Sequence, residues 1–303
     1  MSKKPAIKKT KMKMSTGDKI FTALNIFIMA VICVVIVYPL YYVVIASLTD
    51  PVIVNSGKPL FYPEKLFVEG YKTTFEYKPL WTSYKNTIIY TVVGTLVSLF
   101  CTIPAGYALS RKDLFGRRAL IFVFTFTMFF SGGIIPLYLT IRGLGIYNTI
   151  WAMVLPVAVS AYNLIVCRSF FESGLPDELL EAAKVDGCSD FKFFFQIAIP
   201  LSTTIIAVMA LFYATAMWNQ FFNALMYLQD DSRMPLQVVL RNLVLMNQAN
   251  QMGSSGSEMV TKQKLAEQLK YCIVVVAAAP LLMVYPFVQK YFAKGVTIGA
   301  VKG

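Results

Sequence analysis

The chain has 303 residues, 57% of them hydrophobic and only 15% charged, with a mean hydropathy of +0.60. Soluble domains carry about 25% charged residues, so this composition excludes an ordinary soluble domain and points to a membrane protein. The net charge of +12, with no histidine anywhere, reads as membrane topology rather than as the soluble basic face a nucleic-acid partner would need.

Six apolar runs reach about the 20 residues required to cross the hydrocarbon core. They are Ile20–Ser47, Thr87–Ser110, Ala119–Thr140, Tyr147–Val166, Leu201–Leu228 and Tyr271–Gln289. The expected organisation is a basic tail over residues 1–19, a six-helix domain over 20–292 and a short tail over 293–303. The tail contains "KKPAIKKTKMKM", but the run behind it is far longer than the ~7–15 residues of a secretory signal. No small-x-small cleavage site ends that run, so it is expected to remain as a helix.

A polar segment of mixed charge, residues 48–86, follows the first run. The second and third runs are joined by "RKDLFGRR" (Arg111–Arg118), whose four basic residues hold it on the cytoplasmic side. After the fifth run, residues 229–270 contain Leu236, Val239, Leu240 and Leu243 on one helical face, with Gln237 and Arg241 off it. A Gly/Ser/Asn-rich flexible run comes next. That amphipathic helix fits either a partner protein or the membrane surface. Lys and Arg distribution orients the chain, because these residues resist translocation. With the N-terminus inside, the segments Lys3–Lys19, Arg111–Arg118, Arg168–Lys192 and Lys290–Lys302 hold 17 of the 28 basic residues. Both termini are therefore expected in the cytoplasm.

None of the six runs contains Asp, Glu, Lys or Arg. Ion-coupled carriers and voltage sensors place ionisable groups at membrane depth, so such functions are disfavoured, as is an intramembrane enzyme lacking a nucleophile-base pair or metal ligands. No G-x-x-x-x-G-K-[ST] loop is present, so a pump built from this chain draws its energy from another polypeptide. Cys33, Cys101, Cys167, Cys188 and Cys272 show no C-x-x-C spacing, which indicates neither a metal site nor a disulfide framework. No catalytic residue, metal or cofactor is expected.

The charged exception is the loop before the fifth run, "SGLPDELLEAAKVDGCSDFKFFFQIAIPL". Pro176 suits a first helical turn, Asp177 and Glu178 sit at the positive end of the helix dipole, and Gly187 suits the left-handed position past the helix end. Ser189 can cap a second helix in which Phe191, Phe194, Phe195 and Ala198 fall at i, i+3, i+4 and i+7. Residues 175–200 thus predict a helix, a sharp turn and an amphipathic helix, ending at Pro200. Such a knob can lie on the lipid surface, but Glu181, Lys184 and Asp186 around the small Ala182 and Ala183 suit docking to a protein better.

"EAAKVDGCSDFKFFFQIAIPL" resembles the EAA motif of ABC importer permeases: Glu181-Ala182-Ala183, Gly187 at the expected spacing, then Ile197 and Pro200. The terminus "KGVTIGAVKG" is similar to the tail of maltose-type permeases, and "MWNQFFNALMYL", "RMPLQVVL" and "SGGIIPLYL" resemble the carbohydrate branch that handles oligosaccharides and polysaccharide fragments. The resemblance implies a type I importer permease fold, all-α with six transmembrane helices. It implies that Glu181, Ala182, Ala183, Asp186, Gly187 and Pro200 couple the chain to an ATPase, with Glu181 as the charged contact and Gly187 as the turn, and that the Phe191–Phe195 face anchors to the permease's own helices. It further implies that Gly299, Val301, Lys302 and Gly303 reach between ATPase subunits. The implied partners are a second homologous permease, two cytoplasmic ATPase subunits, an extracytoplasmic solute-binding protein, membrane lipid and an oligosaccharide. Tyr213, Trp218, Asn219, Phe222 and Asn223 combine aromatic faces with amides suited to a neutral sugar, although each also fits an interfacial belt or helix-to-helix contact. Remaining alternatives are a permease for another solute, such as a polyamine or oxyanion, and a membrane scaffold that docks an ATPase without transport.

Overall fold

The computed structural model describes residues 15–252 and 257–300. Apolar runs without charge become helices because a backbone in hydrocarbon has only its own chain to bond. Among the described residues the architecture is helical throughout, with one isolated bridge between Thr49 and Leu66. The first run forms α1 (Thr16–Leu48), opened by a capping box between Ser15 and Asp18. Two short helices, α2 (Pro51–Val54) and α3 (Glu69–Glu76), precede α4 (Lys78–Ser110). At 33 residues, α4 is about 50 Å long, enough to cross a membrane and project beyond it.

The next three runs are not single straight helices. Ala119–Thr140 divides into α5 (Arg117–Phe129) and α6 (Ile134–Gly143), which meet at 115°. Gly133 makes the break, holding φ 84° and ψ 179°, a region essentially reserved for glycine. Tyr147–Val166 divides into α7 (Ile150–Val154) with a short 3₁₀ extension, and α8 (Ala161–Gly174), meeting at 52° near Pro156. The inner loop supplies α9 (Asp177–Val185), α10 (Asp190–Phe193), a π-helical turn at Phe194–Ala198 and α11 (Ile199–Leu201). These lead at 78° into α12 (Thr203–Trp218). The fifth run then breaks again at Asn219–Phe221 before α13 (Phe222–Tyr227). Among the described residues three helices are long and apolar enough to cross alone, or up to six spans if each bent pair is one. The final elements are α14 (Leu236–Met252) and α15 (Ser257–Ala300). α15 continues through residue 293, where a separate tail was expected, and its apolar window is Lys262–Met283.

α4 is the central strut, packing along both α8 and α12. Its inward face carries Gly94, Ser98, Thr102 and Gly106, one small residue every four, which lets neighbouring backbones approach closely. Met217 fills the space against Gly94, and Cys167 that against Gly106. Gln268 of α15 ties the opposite end together. Buried, it accepts from Gly70 N at 2.7 Å and donates to Ser47 O at 2.9 Å and to Phe67 O. α1 buries only Ile45, Ala46 and Ser47, leaving most of its apolar surface uncovered by this chain.

Candidate functional site

α9 is amphipathic in the expected way: Leu180 and Ala183 are buried, whereas Glu181 and Ala182 are exposed. Its end is a Schellman motif. Gly187 has φ 72°, its N–H bonds to Lys184 O at 3.1 Å, and Cys188 N–H reaches Ala183 O at 2.9 Å. The second alanine of the triplet therefore sits against the core and also accepts the turn's closing hydrogen bond. Ser189 then caps α10, its hydroxyl accepting from Lys192 N at 3.3 Å. Pro200 is exposed at the entry to α12.

The anchoring face differs from the expected one. Phe193, Phe194 and Ala198 are buried, but Phe191 is 80% and Phe195 62% exposed. The π-helical turn widens the helix here, so the i, i+4 spacing that paired Phe191 with Phe195 does not select the inward face. The actual anchor is aromatic: Tyr107 at the end of α4 meets Phe194 at 4.9 Å, Phe171 of α8 edge-on at 5.6 Å and Phe193 at 6.4 Å. The outward Phe191 and Phe195 line, with Phe100, Pro104 and Phe115, a cavity of about 610 Å³ beside the knob.

"RKDLFGRR", read from sequence only as a topology signal, holds the knob electrostatically. Lys112 Nζ donates to Asp177 Oδ2 at 2.8 Å, and Arg111 approaches the same carboxylate at 3.5 Å. Arg117 donates to Glu172 at 2.6 Å, and Arg168 donates to the other oxygen of Glu172 at 2.7 Å. Lys184 lies between Asp113 at 3.8 Å and Asp190 at 3.6 Å. The Lys112 hydrogen bond holds the Asp177 carboxyl below the ordinary carboxylate range, and that same bond raises Lys112, so the pair stays charged through neutral pH. Glu181 takes no part in this network and has no ion-pair partner among the described residues. The missed signal was available: basic residues and acids on successive loops of one face can pair across them.

The five pathway candidates separate. Tyr213 is 2% exposed and its hydroxyl meets Thr102 Oγ1 at 2.7 Å and Ser160 N at 3.2 Å, which ties α12 to α4 and the start of α8. Trp218 is also buried, with Nε1 donating to Ala277 O at 3.2 Å. Both are taken up in the chain's own packing. Asn219 and Phe222 are exposed and Asn223 half-buried, all at the break between α12 and α13. Gln220, not singled out from sequence, braces this break by donating from Nε2 to Met153 O at 3.0 Å. Non-helical backbone at membrane depth is tolerated where protein buries it or it lines a cavity.

Gly299 lies in the last turn of α15; Val301, Lys302 and Gly303 lie outside the described residues, as does the basic tail up to residue 14.

Comparison with known proteins addresses the whole chain. Residues 10–298 match the family described as binding-protein-dependent transport system inner membrane component. The chain is 42% identical to the polygalacturonan/rhamnogalacturonan transport system permease protein YtcP of Bacillus subtilis, over 90% of this chain and 94% of the relative. It is 38% identical to Protein LplC of the same organism, over 95% and 96% respectively. Among solved structures, a bacterial ABC transporter involved in the import of the acidic polysaccharide alginate superposes with a TM-score of 0.79. That match has 31% identity and covers 93% of this chain and 100% of the other.

Proposed function

The chain belongs to the binding-protein-dependent transport system inner membrane components, and from that premise we propose that it is one of two permease subunits of an ATP-driven oligosaccharide importer. A multi-pass inner-membrane permease component of an ABC system is the plain consequence of the family. The oligosaccharide reading is supported by relatives whose cargo is polygalacturonan, rhamnogalacturonan or alginate. In this reading a homologous permease encloses the pathway with it, two ATPase subunits dock at the α9–α10 end, and a solute-binding protein delivers cargo at the other. The docking end faces the cytoplasm with both termini, following the Lys and Arg distribution. The chain itself carries out no chemistry; ATP is split by its partners.

The observation that carries the reading is the construction of the knob. Beneath, it is fixed to α4 and α8 by Tyr107, Phe171, Phe193 and Phe194; above, it presents the unpaired Glu181. Closure of the ATPase dimer pushes a rigid element, which swings α4 and α12 from inward-open to outward-open. Glu181→Ala in the reconstituted complex is expected to lower binding-protein-stimulated ATP hydrolysis and uptake about tenfold, the worth of one lost charge-assisted contact. Unchanged stimulation and uptake in that variant would remove the docking role.

A further inference from the structure

The membrane runs carry no ionisable residue, yet the accessible end of the pathway is not uncharged. Where α12 breaks, Asn219 and Phe222 are exposed and Asn223 is half-buried; Asn219 Nδ2 donates to Thr215 O at 2.9 Å and Asn223 Nδ2 to Gln220 Oε1 at 3.3 Å, and Phe221 lies between them in sequence. Over the Phe221 ring, at 5.6 Å from its centre, stands the guanidinium of Arg241. It arrives from α14, some twenty positions later in the chain, which is why no local pattern reveals it.

Arg241 is held firmly without being used up. Phe221 packs against the buried cluster that contains Tyr90, Met153 and Leu228. α14 is pinned at its start, where Leu236 N donates to Thr87 Oγ1 at 2.8 Å. Arg241 is exposed and has no carboxylate partner among the described residues, whereas nearby Arg233 is paired with Asp230 at 3.4 Å. A guanidinium stacked on an aromatic face keeps its N–H edge free, in the fork geometry that receives a carboxylate with two parallel hydrogen bonds. Gln237, one turn earlier on the same face, adds an amide suited to a hydroxyl. Placing the cation on α14 rather than inside a membrane helix avoids the cost of a charge at the bilayer centre.

We propose that the cargo is an anionic, uronate-bearing oligosaccharide and that Arg241 binds a sugar carboxylate beside Asn219, Phe222 and Asn223. This rests on the oligosaccharide-importer reading above and replaces the neutral sugar expected from the sequence with an acidic one.

The test uses the assembled complex in proteoliposomes with its binding protein, comparing trigalacturonate with its fully methyl-esterified, uncharged counterpart. Uptake is normalised to the binding protein's affinity for each sugar. Arg241→Gln is expected to reduce trigalacturonate uptake on the order of tenfold or more and to leave the ester unchanged. Arg241→Lys, which keeps the charge and loses the fork, is expected to fall between. Arg142, a second exposed guanidinium set over Tyr138 at 5.6 Å and Tyr147 at 5.2 Å, serves as the comparison. An equal loss from Arg142→Gln would mean diffuse attraction of anions and would overturn the site. Equal uptake of both sugars by wild type and Arg241→Gln would overturn the inference while leaving the importer reading intact. An effect of Arg241→Gln that follows the anionic-lipid content of the vesicles, and not the sugar's charge, would assign the guanidinium to a lipid headgroup. Failure of wild type to import either sugar, with stimulation by a non-carbohydrate solute instead, would overturn the importer reading and this inference together.

Discussion

Gly187 fixes where the docking helix stops, and its reason is conformational rather than steric. Its φ is 72°, yet a Cβ built there meets nothing within 4 Å. Any substitution cost therefore comes from the left-handed backbone, about 1–2 kcal/mol for alanine and less for asparagine, whose side chain bonds locally. Gly187→Ala is accordingly expected to speed hydrogen exchange of the α9 and α10 amides about fivefold or more, with a smaller effect from Gly187→Asn. Equal protection in both variants would show that the motif is not strained. At this scale the sequence was informative: a glycine following nine helix-compatible residues and a serine two positions on specify a stop and a restart without tertiary information. Phe191 and Phe195 were misjudged because the turn that follows is π-helical, and its register is set by the rings of Tyr107 and Phe171 rather than by local spacing.

Between elements, the force that decides packing is close approach, since lipid tails are as apolar as the helix surfaces they compete with. α4 meets α12 through Gly94 and α8 through Gly106, and the two contacts are not equivalent. A Cβ at Gly94 meets the flexible Met217 thioether, at 2.5 Å from its sulfur, which can swing aside. At Gly106 it meets Cys167 Sγ at 2.7 Å, Cys167 Cβ at 3.0 Å and the backbone N of Arg168 at 3.3 Å, which only movement of α8 relieves. Gly106→Ala is therefore expected to lower the complex's thermal midpoint clearly more than Gly94→Ala. Adding Cys167→Ala should restore part of that loss; a reversed order, or no restoration, would mean the helices are not held at these points. The four-residue spacing of Gly94, Ser98, Thr102 and Gly106 was not singled out from the sequence, because small residues mark a seam only once the helices that close on them are known. The charges behind the ion pairs from Arg111, Lys112 and Arg117 to Asp177 and Glu172 stood in the sequence, but their pairing did not, as only the fold brings the ends of α4, α5, α8 and α9 together. Exposed pairs of this kind contribute ~0–1 kcal/mol each; their effect is orientation, fixing the angle at which α9 lies against the end of α4.

For the molecule as a whole, hydropathy located the apolar runs and missed their shape. Apolarity is blind to a bend: the α5–α6 fold-back at Gly133 and the break at Asn219–Phe221 interrupt runs that read as continuous. The two breaks differ in origin, one enforced by a glycine-only backbone, the other braced by Gln220 against Met153. α1 poses the remaining question of scale, because Val35 is 66% and Val37 57% exposed and the rest of the chain buries only its end at Ile45–Ser47. A pathway enclosed by two permeases needs a covering surface, and a helix left this exposed by its own subunit offers one. Val35 and Val37 lie about 200° apart around α1, so between them they sample both of its sides. With a photoreactive residue at each position in turn, one is expected to capture the second permease in the assembled complex and the other to capture lipid. Capture of lipid from both would make α1 a peripheral membrane anchor and shift the burden of pairing onto α5, whose aromatic face at Phe122 and Phe126, continued by Phe130 just past its end, is likewise uncovered.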